Sequence, residues 1–160
     1  MHNSADFLNV WKMESASTLK VFHALTDAKL AQAVVPGSYS LQSLAWHITG
    51  SINAIPAYAG FLTVPEKRPA APATVAGLIA AYEANAARLA AAVQEKGSDA
   101  FLAEHADFFG HKMRRGALLS LALMHQAHHR GQMTVLLKQA GLKVPGVYGP
   151  SEDDVKDAKK

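Results

Sequence analysis

The chain has 160 residues, 49% of them hydrophobic and 18% charged, which allows one sizeable core and leaves too little length for two independent ones. Its formal charge of +3 comes from scattered Lys and Arg, densest at Lys112, Arg114 and Arg115, so no basic stripe argues for nucleic acid. With no cysteine, disulfides, thiolate metal ligands and a cysteine nucleophile are excluded, and a metal site has to use His and carboxylate.

In chain order, the first predicted helix runs from Ser4 to Asp27, with Phe7, Leu8, Trp11, Thr18, Leu19, Phe22 and Leu25 forming a broad inward stripe. Asp6, Lys12 and Glu14 interrupt its apolar residues, unlike a secretory leader, and no apolar run reaches the length of a membrane span. A soluble cytoplasmic protein without a membrane or nucleic-acid partner is therefore expected. After Pro36-Gly37, Ser40 reads as the N-cap of a second helix carrying Leu41, Leu44, His47, Ile48, Ile52 and Ile55 towards Gly60, with Pro56 kinking or ending its last turn. Residues 64–72, rich in proline and charge, read as a surface connection. An alanine-rich third helix then spans Thr74 to Lys96 and stops at Gly97. From Ser98 to Gly116 the periodicity fails, leaving a short helix, a turn or a small hairpin as open alternatives. The fourth long helix runs from Ala117 to Ala140, with Gly141 as its stop. These elements predict an all-α, antiparallel four-helix bundle over residues 1–150, followed by a charged, mobile tail over 151–160.

The fourth helix carries the chemistry. Leu118, Ala122, His125, His129, Met133, Leu136 and Ala140 step along one face at intervals of three and four, so His125 and His129 point towards the core one turn apart. Burying two imidazoles without partners would cost about 1–3 kcal/mol each, and a shared metal ion would satisfy both. His47, inside the apolar run Leu44-Ala45-Trp46-His47-Ile48, is the third candidate ligand. A lone His on an apolar face is more often a hydrogen-bonded core residue, so His47 draws its weight from the pair. Three imidazoles suit Zn, Ni, Fe or Cu and leave a coordination position open for exchange. His128 is a lesser candidate, either supporting a ligand ring or lining a cleft. Arg130 is either one end of a surface ion pair or an anchor for the carboxylate of a substrate or of a residue that supports a metal ligand. Trp46 and Tyr58 line a pocket or pack in the core, Asp107 and Glu104 are candidates to orient a ligand imidazole, and His23 and His105 read as ordinary.

The segments Leu44-Ala45-Trp46-His47-Ile48 and His125-Gln126-Ala127-His128-His129-Arg130-Gly131-Gln132 together resemble the DinB/YfiT-like family, in a match that spans nearly the whole chain and includes the turn from Gly141 to Pro145. The resemblance implies an up-down-down-up bundle, a homodimer, and a nickel or zinc ion on His47, His125 and His129. It further implies a metal-dependent enzyme, since characterised relatives include S-transferases that use bacillithiol, mycothiol or glutathione, and others act as isomerases or hydrolases. The expected function is activation of a low-molecular-weight thiol or water for transfer to, or hydrolysis of, a small-molecule substrate. The alternative is a non-catalytic metal-binding or stress-response bundle in which the ion only stabilises the fold.

Overall fold

Local hydrogen bonding sets where the first three long helices begin. The computed structural model describes residues 3–159; Met1, His2 and Lys160, at the ends of the expected domain and tail, lie outside the described residues. Helix α1 (Ser4–His23) starts where Asn3 Oδ1 accepts from the Asp6 N–H at 2.8 Å. It ends before Asp27, because Asp27 opens a one-turn 3-10 segment and its Oδ1 accepts from Val75 N at 2.7 Å, serving the start of a later helix. Helix α2 (Leu41–Tyr58) begins with a reciprocal cap between Ser40 and Ser43 and carries Pro56 inside its last turn. Helix α3 (Val75–Lys96) is capped by Thr74, whose side chain accepts from Gly77 N, and stops at Gly97.

The stretch left open by the sequence contains both a short helix and a hairpin. Helix α4 (Asp99–Ala103) leads into strands β1 (His105–Phe108) and β2 (His111–Arg114), paired antiparallel with His105 opposite Arg114 and Phe108 opposite His111. The two-residue turn places Phe109 at φ 53° and Gly110 at φ 82°, the left-handed pair that a tight hairpin demands. Asp107 Oδ1 accepts from Gly110 N at 3.1 Å and closes that turn. Helix α5 (Arg115–Gln139) starts two positions before the expected Ala117. The charged C-terminal segment, expected as a mobile tail, folds over its described residues into α6 (Glu152–Asp157), which is tied back through Lys138–Asp153 and Lys143–Asp157 pairs, each at 2.7 Å.

The long helices form a ring in the order α1, α3, α2, α5. Cross-links read out their directions. Gln42, Thr49 and Phe61 of the α2 region meet Pro72, Asn85 and Lys96 in rising order, so α2 and α3 run parallel. Ser4, Trp11 and Phe22 meet Gly97, Ala86 and Tyr82 in falling order, so α1 and α3 run antiparallel. Along α2 and α5, His47 meets His125 whereas Gly60 faces Arg115, again antiparallel. The result is the up-down-down-up bundle, whose core includes Phe7, Phe22, Ile48, Ile52, Leu78, Leu89 and Leu118, all fully buried. No helix among the described residues is long and apolar enough to cross a membrane.

Candidate metal centre

Helix periodicity aligns His125 and His129, and the packing of α2 against α5 brings His47 to them. His125 and His129 project from α5, and His47 comes across from α2; each is half-buried, and one ligand nitrogen from each lies within 4.8 Å of the other two. The closest pair, His47 Nε2 and His125 Nε2, is 3.3 Å apart. Tetrahedral ligands at metal–nitrogen distances of ~2.0–2.1 Å are themselves ~3.3 Å apart, so this pair already has the spacing of two donors on one ion.

Hydrogen bonding outside the cluster favours the same arrangement. His129 Nδ1 donates to Gln132 Oε1 at 2.8 Å, which fixes the proton on Nδ1 and leaves the Nε2 lone pair for a ligand. Gln132 Nε2 in turn lies 3.2 Å from His128 Nε2, so exposed His128 stands one hydrogen bond behind a candidate ligand. Buried His125 Nδ1 has no hydrogen-bond partner among the described residues, which leaves Nε2 to meet that ring's polar demand.

Electrostatics favours the ligating form of two of the donors, His47 and His125. The His47 pKa is pushed down from 6.5 to about 4, first by burial, then by the neighbouring His129 and His125 rings and by Arg68. His125 is lowered as well, by burial first and then by His129 and His128. Neutral imidazoles crowded around one point are what a divalent cation requires. Tyr39, an exposed residue that the sequence reading did not single out, sets its ring 5.8 Å from His47 and 6.4 Å from His129.

Other expected participants lie elsewhere. Arg130 is neither on the surface nor at the imidazole cluster: it is 1% exposed and turned towards α1, with Nη2 on Glu14 Oε2 at 2.7 Å and Nη1 on Glu14 O and Thr18 Oγ1, each at 3.0 Å. The Tyr148 hydroxyl completes this group by meeting both Arg130 and Glu14. Glu104 pairs with Arg115 at 3.1 Å, and Asp107 serves the hairpin turn, so neither orients a ligand imidazole. Tyr58 packs against Phe108 and Phe109. Trp46, half-buried, lines a cleft beside His47 and donates from Nε1 to Pro69 O at 3.0 Å. His23 and His105 are exposed. Buried Glu14 and Thr18 had no role in the sequence reading beyond helix patterning. A polar pair four residues apart inside an otherwise apolar stripe was the available signal.

Comparison with known proteins adds the lineage. The model of the DinB family matches residues 1–160. The uncharacterized protein YrdA of Bacillus subtilis (strain 168) is 34% identical over 149 residues, covering 92% of this chain and 89% of that protein. A crystal structure of a DinB-like protein from Bacillus cereus superposes with a TM-score of 0.86 at 37% identity, covering 92% of this chain and 99% of that one. A DinB-like protein from Bacillus subtilis, yjoa, shares the fold at a TM-score of 0.75 and 19% identity, over 90% of this chain and 98% of that one.

Proposed function

This chain belongs to the DinB family, and on that premise we propose that it is a metal-dependent enzyme whose ion is held by His47, His125 and His129. The observation that carries the reading is the convergence of three half-buried imidazoles from two helices, one ring nitrogen of each within 4.8 Å of the others and the Nε2 atoms of His47 and His125 3.3 Å apart. A structural zinc site would close with a fourth protein ligand, and no carboxylate or further imidazole joins this cluster among the described residues. Zinc or nickel suits the all-nitrogen donor set.

When bound, the ion supplies Lewis acidity that lowers the pKa of a thiol or water at the open position. The chain's residues do the rest. Gln132 holds the His129 ring in one tautomer, and the Tyr39 ring stands beside those of His47 and His129. Since the chain has no cysteine, any thiol that such an ion would activate comes from outside it.

The test is elemental analysis of the tag-free protein beside His125→Ala and His129→Ala, after reconstitution with zinc or nickel. Equimolar metal in the parent and its loss from both folded variants is the expected result. A metal-free parent after reconstitution overturns the reading.

A further inference from the structure

Beside the imidazole cluster, with His47 in its lining, residues of α2, α3 and the 64–69 connection enclose a cleft of about 440 Å³. Its walls are largely apolar, from Ala54, Val64, Pro65 and Ala81, and no carboxylate lines it. Two guanidinium groups, Arg68 and Arg88, do line it. Neither forms an ion pair among the described residues: Arg68 donates to Trp46 O and sits 5.2 Å from the Trp46 ring centroid, and Arg88 donates to Thr63 O. A guanidinium carries five donors, so each retains capacity for an anion.

Two further features mark a built site. Arg68 lies so close to α2 that a Cβ on Gly50 would fall 2.7 Å from Nη2, so any larger residue there would push the guanidinium aside. Asn53, 3% exposed, also lines the cleft, and its Oδ1 is buried without a hydrogen-bond partner. An unpaired amide oxygen in an apolar wall costs free energy until a donor meets it.

We propose that this cleft is the subsite for a small organic carboxylate with an apolar body and an N–H or O–H donor. Arg68 receives the carboxylate, Arg88 adds positive potential, and Asn53 Oδ1 accepts from the donor. With His47 at its edge, the cleft holds the ligand beside the metal centre. Its role as a substrate subsite rests on the function proposed above, whereas anion binding in the cleft does not require the ion.

N-acetyl-L-phenylalanine, which carries all three groups, is the probe, and its neutral amide, N-acetyl-L-phenylalaninamide, is the control. Each is titrated by calorimetry and by NMR into the zinc-loaded protein, the metal-free protein and metal-free His125→Ala. The acid is expected to bind saturably in all three and to shift the Asn53 side-chain amide, and the amide to bind about tenfold more weakly, since a charge-assisted bond is replaced by a neutral one. Arg68→Gln removes the charge, and Gly50→Ala displaces the arginine while keeping a good helix former; both should weaken the acid about tenfold without weakening the amide. No saturable acid binding, equal affinity for acid and amide, or unchanged affinity in both variants overturns the subsite. Acid binding to a chain that takes up no metal would retain the subsite and sink the metal reading, and the converse pattern would do the reverse.

Discussion

His129 and Arg130 are neighbours on α5, yet they belong to polar clusters of opposite character. A step of about 100° around the helix turns His129 towards α2 and Arg130 towards α1. In the Arg130 cluster the charge meets a carboxylate, a backbone carbonyl and two hydroxyls, all supplied by the chain. In the imidazole cluster the nitrogens converge on one another, and His125 Nδ1 has no hydrogen-bond partner among the described residues. A buried polar group whose demands the protein itself meets specifies how helices pack. A cluster whose lone pairs meet at a point calls for something from outside.

The sharpest way to break this comparison is Arg130→Met. It leaves Glu14 buried without its cation and should cost about 3–5 kcal/mol of folding stability in urea titrations. Metal content per folded chain should stay at the parental value. Loss of metal with unchanged stability would mean that the two clusters are not separate. Gln132→Leu probes the other side. Gln132 is exposed, so unfolding should barely change, while zinc affinity should fall about 10–100-fold in chelator competition as His129 loses the acceptor that fixes its tautomer. Unaltered affinity would remove Gln132 from the site.

The smallest effect is on pH dependence. His47 has a folded pKa of about 4 against 6.5 ordinarily, so in acid the unfolded chain takes up the proton first. Metal-free protein should therefore lose stability as pH falls from 6.5 towards 4, with His125 acting in the same direction. His47→Leu should flatten that part of the melting-temperature profile while keeping the decline caused by carboxylates. Parallel profiles for parent and variant would show that the ring is not held neutral by its surroundings. Bound metal should steepen the decline, since protons and the ion compete for the same nitrogens.

Much of the scaffold was legible because it depends on local chemistry. Ser40, Thr74, Gly97 and Gly141 mark helix ends through backbone groups within a few residues, and the apolar spacing along α5 aimed His125 and His129 together. The hairpin was harder to read because its turn is Phe109-Gly110, without the Asn-Gly or Asp-Gly signal that usually announces φ > 0 at both positions. Arg130 was misplaced for a different reason. Helix α5 buries more than one arc: besides the face towards α2, Leu119, Gln126, Arg130 and Leu137 are buried, with Gln126 meeting Tyr82 of α3 and Arg130 meeting α1. A single-stripe reading assigns those residues to solvent.

The sequence by itself determined the helices, their caps and the pair of imidazoles one turn apart, because these follow from the 3.6-residue period and from hydrogen bonds between near neighbours. Only the tertiary structure decided that His47 reaches the pair across 78 positions, that Glu14 neutralises Arg130 across 116, and that Arg68 lies against Gly50. Those meetings depend on the ring order and direction of the helices, which are set by how whole faces pack together.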